Sequence, residues 1–92
     1  MNIHNEKKVE LEEQLSFFDK NVSNVDLESI FLDLIPEAKK LARERMEKYY
    51  SKYGDANFHK TKEQLRREQL EEIADAVNYE IFKKYRKAKG LS

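Results

Sequence analysis

Residues that break helices are scarce in this chain. Its 92 residues include two Gly and one Pro. Because Gly and Pro end or interrupt helices and mark tight turns, their scarcity leaves long segments in which a helix can continue. The sequence therefore favours an all-α fold, and we expect a small bundle of three or four helices.

The size and composition of the chain limit how much core it can form. Apolar residues make up 39% of the chain and charged residues another 39%. This balance excludes wholesale disorder but leaves a thin core for a single helical domain spanning residues 1–92. We therefore expect one copy to lack a deeply enclosed active site, and we expect the chain to form a homo-oligomer, most simply a dimer.

Several classes of protein and site are excluded by what the sequence lacks. No Cys is present, so disulfides and thiolate metal sites are excluded. The longest apolar run, residues 30–32, is too short for a bilayer span, and the amino terminus has no apolar signal region. We expect a soluble, cytoplasmic protein without membrane contact.

A net charge of zero hides an uneven distribution of charge. Residues 1–33 hold eight acidic and three basic residues, whereas residues 34–92 hold ten acidic and fifteen basic residues. The acidic front and the basic back can attract one another within a chain or between copies. Binding of a partner or a phosphate by the basic part is the alternative.

The first half of the chain shows helical periodicity in two places. An amphipathic helix is predicted over 6–20, capped by Asn5, with an apolar stripe formed by Leu11, Leu15, Phe18 and Val22. A second helix is predicted to start at a Ser23 or Asn24 cap and to carry Leu27, Ile30, Phe31 and Leu34. Pro36 is predicted to end this helix or to open the next.

The second half predicts two longer helices. One spans about residues 36–53 and ends at Gly54, with a stripe formed by Ala38, Leu41, Ala42, Met46, Tyr49 and Tyr53. After a loop at 55–60, Thr61 and Gln64 match a capping box. The long C-terminal helix that follows should run to Gly90, about 28 residues or roughly 40 Å, long enough for one end to protrude or to pair with a second chain.

This C-terminal helix carries the group of residues that best fits a binding or catalytic site. Its predicted core face is formed by Leu70, Ile73, Val77 and Ile81, and its second face by Glu68, Glu72, Asp75, Tyr79 and Phe82. Acids spaced in this way repel one another unless cations offset them. Mg²⁺ prefers oxygen ligands and commonly takes carboxylates together with water and phosphate, so a magnesium site is one interpretation.

Residues 40–82 resemble a known enzyme family. Glu72-Ile-Ala-Asp75, followed by Ala-Val-Asn-Tyr, resembles half of the signature of the MazG-like all-α nucleoside triphosphate pyrophosphohydrolases, especially their short phage-encoded members. The other half is a Glu-x-x-Glu pair on an earlier helix, which Glu44-Arg-Met-Glu47 matches.

The resemblance implies a set of site residues and a reaction. Glu44, Glu47, Glu72 and Asp75 would be the Mg²⁺ ligands and the catalytic residues. Metal-bound water would attack the α-phosphorus of a nucleotide, releasing monophosphate and pyrophosphate. The substrate would be bound by nearby polar and basic residues, namely Lys40, Arg43, Lys48 and Asn78, with Lys60 and Lys62 as further candidates.

Each of these features also has a simpler interpretation. The acids can form a solvated helix face paired with Arg66, Arg67 and Lys83, and the tyrosines fit a core edge or an interface. The two histidines have no partner at metal spacing, so we expect no zinc site. The bases at 83–89 complement the negative end of a helix, and without a DNA-reading motif we do not expect nucleic-acid binding.

The sequence therefore supports two functions of different classes. One is a Mg²⁺-dependent nucleotide pyrophosphohydrolase, which retains or has lost the reaction. The other is a small helical binding protein that grips a larger protein target, in the manner of phage-encoded inhibitors of host or defence proteins. Its five Tyr and its faces of opposite charge are typical of interface residues.

Overall fold

The computed structural model describes residues 3–91, and it places the side chains of residues 7–91. This part of the chain confirms the all-α fold. It contains α1 (Ile3–Asn21), α2 (Leu27–Tyr53) and the long C-terminal helix α3 (Lys62–Ala88), with short 3₁₀ turns at Val22–Asn24 and Ala56–His59. None of the described helices combines the length and the apolar content that a bilayer span requires.

The structure corrects the predicted starts of the first two helices. Helix α1 begins at Ile3, so Asn5 lies inside its first turns and is not the cap. Ser23 and Asn24 lie in a 3₁₀ turn, and the cap of α2 is Asp26, whose carboxylate accepts a hydrogen bond from the Ser29 N–H at 3.1 Å. Helix α2 therefore begins directly after Asp26, two residues beyond the 3₁₀ turn.

Pro36 neither ends nor opens a helix. It lies inside α2, so the predicted second and third helices form one helix of 27 residues. A proline in a helix interior removes one backbone hydrogen bond and crowds the preceding turn. The helical hydrogen bonds on either side of Pro36 outweigh this local penalty. Gly54, with φ of 61°, ends α2 as predicted, and its N–H donates to the Tyr50 carbonyl at 2.8 Å.

Both ends of α3 follow the prediction. The Thr61 Oγ1 accepts from the Gln64 N–H at 3.1 Å, and the Gln64 Oε1 accepts from the Thr61 N–H at 2.9 Å. These reciprocal bonds form the predicted capping box. At the other end, Gly90 has φ of 74°, and the Leu91 N–H donates to the Arg86 carbonyl at 2.7 Å. Helix α3 therefore stops where the left-handed glycine allows the chain to turn.

The chain divides into two compact units. The first joins Met1–Val25 to Ile73–Ser92. In it, the Phe17 and Tyr85 rings meet edge to face with centroids 5.4 Å apart, and Lys89 donates a hydrogen bond to Glu13. This bond raises the pKa of Lys89 above its ordinary value, and the pair joins a residue of the acidic front of the chain to one of the basic back.

The second unit is Asp26–Glu72, which contains α2 and the first part of α3. Every residue from 31 to 48 is exposed. The predicted apolar stripe of α2 is therefore not covered. Leu41 is 52% exposed and Met46 43%, whereas Tyr49 is half-buried.

The predicted core faces of the other helices are also only partly buried. In α3, Ile81 is buried at 3% exposure and Val77 is half-buried, whereas Leu70 and Ile73 are exposed. In α1 the half-buried side chains are Gln14, Phe17, Phe18 and Asn21, whereas Leu11 and Leu15 are exposed, as is Val22 in the 3₁₀ turn that follows. Burial depends on a neighbouring element, and periodicity alone did not identify the covered positions.

Ile81→Val tests the buried position of α3. The loss of one buried methyl group should lower the free energy of unfolding by about 0.5–1.5 kcal/mol. The control is Leu32→Ala, because Leu32 is 69% exposed and its truncation should change stability by no more than about 0.5 kcal/mol. Urea denaturation followed by circular dichroism measures both variants. Equal effects of the two substitutions would contradict the assignment of Ile81 to the core.

Candidate functional site

The acidic pair of α2 lies beside an open depression on the helix surface. Glu44, Glu47, Lys48, Ser51 and Lys52 line this depression. The Ser51 hydroxyl donates to the Glu47 backbone carbonyl at 3.0 Å, which ties its side chain to the helix. The arrangement combines two carboxylates with two ammonium groups, so it can hold either a cation or an anion.

The remaining predicted substrate-binding residues of α2 are also exposed. Arg43 forms a long ion pair with Glu47, with 3.9 Å between its Nε and the Glu47 Oε1. Both side chains are largely in solvent, so the pair contributes little to stability. Lys40 is exposed as well. Asn78 lies on α3, where it is half-buried.

The apolar stripe of α2 faces a different direction from the acidic pair. A second depression is lined by Ala38, Leu41, Ala42, Arg45, Met46 and Tyr49. The Arg45 guanidinium lies over the Tyr49 ring, 5.1 Å from its centroid, and also donates to the Tyr49 hydroxyl. One exposed helix thus presents a charged surface and an apolar surface side by side.

The acids of α3 fall into two groups. Glu68 accepts from Lys60 at 2.7 Å, Glu71 from Arg67 at 3.2 Å and Glu80 from Lys83 at 2.9 Å. Within the described residues, Glu72 and Asp75 form no ion pair. Arg67 and Lys83, which the simpler interpretation offered as partners of Glu68, Glu72 and Asp75, pair with Glu71 and Glu80 on α3. Lys60, a candidate phosphate ligand, is held by Glu68.

The carboxylates do not form a metal centre in the described part of one chain. Among the side chains of residues 7–91, no three His, Asp or Glu gather closely enough to hold a metal ion. Carboxylate oxygens suit Mg²⁺ chemically, and Mg²⁺ is commonly held by one or two carboxylates together with water and substrate phosphate, so a site here would depend on ligands from a substrate or another chain. The assignment of Glu44, Glu47, Glu72 and Asp75 as ligands remains a prediction.

One exposed aromatic pair stands out on α3. The Tyr79 and Phe82 rings meet edge to face with centroids 6.2 Å apart. Tyr79 is 66% exposed and Phe82 is 57% exposed. Both residues lie on the predicted acidic face of α3, and the helical periodicity by itself indicates no role for the pair. Their i,i+3 spacing was the available signal, because it brings two large rings together on a helix surface.

One of the two histidines, His59, ends the 3₁₀ turn between α2 and α3. His59 lies 2.8 Å from the Asp55 carboxylate, measured from its Nε2, and both side chains are exposed. This pair spans the 3₁₀ turn between α2 and α3, so it is an i,i+4 contact that supports the turn. The side chain of His4 lies outside the described residues.

Comparison with known proteins assigns no family to the chain. No protein-family model, curated protein or solved structure matches it. The fold is therefore established at the level of an all-α arrangement, and the resemblance to MazG-like enzymes remains a hypothesis.

Asp75→Asn and Glu68→Gln test the division between the unpaired and the paired acids of α3. Asp75→Asn relieves repulsion from Glu72, one turn away, and should leave stability unchanged or raise it by about 0.2–0.5 kcal/mol. Glu68→Gln loses the Lys60 ion pair and should lower stability by about 0.2–1 kcal/mol. Thermal unfolding at low and high salt measures both effects. If Asp75→Asn lowered stability more than Glu68→Gln, the division into unpaired and paired acids would be contradicted.

Proposed function

We propose that this chain is a helical protein-binding module that acts by occupying the surface of a larger protein. The supporting observation is the amount of apolar surface that the chain leaves in water. Among the described side chains, one apolar residue is buried, whereas large apolar residues are more than one-third exposed on every helix. Contiguous exposed apolar surface marks sites of protein interaction.

The Tyr79–Phe82 pair is the proposed anchor of this interaction. Aromatic side chains are enriched at interface hot spots because they bury a large area and lose little conformational freedom. Each ring already supports the other, which reduces the ordering that binding requires. A partner surface with an apolar pocket would cover both rings, and occupation of that surface would inhibit whatever else binds there.

Tyr79→Ala combined with Phe82→Ala tests the anchor. Truncation of hot-spot aromatics typically weakens binding by about 2–4 kcal/mol, so we expect the partner to be lost from affinity purification in the native cell. Competition with unlabelled wild-type chain and mass spectrometry identify the specific partner. Thermal unfolding of the double variant should stay close to wild type, because both side chains are exposed.

The matched control is Tyr50→Ala. Tyr50 is 58% exposed and lies on α2, so its truncation removes a comparable ring from another helix. We expect this variant to retain the partner. Recovery of the same partner in equal amount with the Tyr79/Phe82 double variant would overturn the proposed anchor. The absence of any specific partner would overturn the binding function itself.

A nucleotide pyrophosphohydrolase is the second candidate function. The observation that favours it is that Glu72 and Asp75 keep no cationic partner in the described part of the chain, although neighbouring acids on α3 do. These are the acids that match the enzyme signature. The described part of one chain gathers no three His, Asp or Glu side chains, so in this function a substrate or another chain would supply further ligands to Mg²⁺. In this function Glu44, Glu47, Glu72 and Asp75 would bind the metal. Lys40, Arg43, Lys48 and Asn78 would bind the nucleotide.

Pyrophosphate release from a panel of nucleoside triphosphates tests the second function. If the chain is an enzyme, Mg²⁺-dependent release should occur and should disappear in Glu72→Gln, while the circular dichroism spectrum stays unchanged. Calorimetric titration with Mg²⁺, with and without a non-hydrolysable triphosphate, measures binding separately. Glu71→Gln is the control, because Glu71 already pairs with Arg67. Equal turnover by wild type and Glu72→Gln would exclude this function.

A further inference from the structure

The apolar stripe of α2 has a symmetry that the proposed function does not explain. All residues from 31 to 48 are exposed, so this stripe is not covered within the described chain. Four pairs of its apolar positions lie at equal distances from residue 40, the centre of the helix. The mirrored pairs are Leu27 with Tyr53, Phe31 with Tyr49, Leu34 with Met46, and Ala38 with Ala42.

The charge of α2 is also opposite in its two halves. Residues 26–37 contain four acidic and no basic residues, a net charge of −4. Residues 38–53 contain six basic and two acidic residues, a net charge of +4. If two such helices lay side by side in parallel, halves of like charge would meet. If they lay antiparallel, each acidic half would meet a basic half.

We propose that a second copy of this chain covers the α2 stripe, with the two α2 helices antiparallel and centred on Lys40. This arrangement is isologous, because the same patch of each copy contacts the other around a two-fold axis. Each residue of these four pairs then lies at the level of its mirrored partner, so that Phe31 of one copy lies at the level of Tyr49 of the other. The pairing uses α2 alone and is independent of the Tyr79–Phe82 anchor on α3.

The small residues at the centre set the distance between the helices. Ala38 and Ala42 lie at the same level across the axis, where short side chains allow helix axes to approach to about 8–10 Å. Larger residues towards both ends, such as Phe31 and Tyr49, fill the space as the helices diverge. The stripe is roughly 40 Å long, so the contact extends over about seven helical turns.

The opposite charges of the two halves set the direction of the pairing. A partner of unrelated sequence has no reason to match both the mirrored apolar positions and the opposite charges of residues 26–37 and 38–53, whereas a second copy in antiparallel orientation matches both.

Light scattering after size exclusion tests whether the full chain associates. Wild type should show twice the chain mass of 11.0 kDa. Ala42→Glu should be monomeric, because it places a carboxylate at the closest approach of the two helices. Its helix content should be retained, since Ala42 is exposed within one chain. Ser51→Glu is the control, because it adds the same charge to α2 beside the acidic pair and should stay dimeric.

Spin labels test the orientation. The chain has no native Cys, so Ser51→Cys accepts a single label. In the antiparallel dimer the two labels should lie roughly 33 Å apart along the axis, because each is eleven residues from the centre. A parallel pair would place them within about 20 Å. A monomeric wild type, a dimeric Ala42→Glu or the short distance would each overturn the inference, and none of these results changes the outcome of the Tyr79/Phe82 experiment.

Discussion

The shortage of apolar burial within one chain is the constraint on which the rest of this structure depends. Among the described side chains, one apolar residue is buried, and 18 successive residues of α2 lie in water. Hydrophobic burial normally supplies most of the favourable free energy of folding. In the described part of this chain that contribution is small, because few apolar side chains are buried. The exposed stripes therefore account for both the proposed binding function and the proposed dimer, since each would remove apolar surface from water.

Local interactions carry much of what holds each helix in place. Asp26 caps α2, and Thr61 with Gln64 caps α3, so backbone N–H groups at both helix starts have partners. Glycines with positive φ close both helices. Contacts between distant parts of the sequence are few, and in the first unit they include the Phe17–Tyr85 ring pair and the Glu13–Lys89 ion pair. Local interactions therefore stabilise the individual helices, whereas tertiary packing contributes little to the stability of the fold.

The two candidate functions place different demands on the same helix. Binding through Tyr79 and Phe82 needs exposed aromatic rings and no catalytic geometry, and these two rings are exposed and in edge-to-face contact. Catalysis would use Mg²⁺ held by carboxylates together with water and substrate phosphate, and the described part of one chain gathers no cluster of three His, Asp or Glu side chains. The unpaired state of Glu72 and Asp75 keeps these carboxylates free for a ligand. Their surroundings therefore support a metal role only if another chain or a substrate supplies what is missing.

The sequence by itself determined the features that depend on neighbouring residues. The all-α class, the end of α2 at Gly54, the capping box and the end of α3 before Gly90 all follow from interactions within about four residues. Only the tertiary structure decided which apolar residues are covered: Ile81 is buried, whereas Leu70 and Ile73 on the same predicted face are exposed. It also decided that Glu68 binds Lys60, eight residues earlier, and that α2 continues through Pro36. Periodicity states which side of a helix is apolar, but burial requires a second element against that side, and the local sequence does not specify where that element lies.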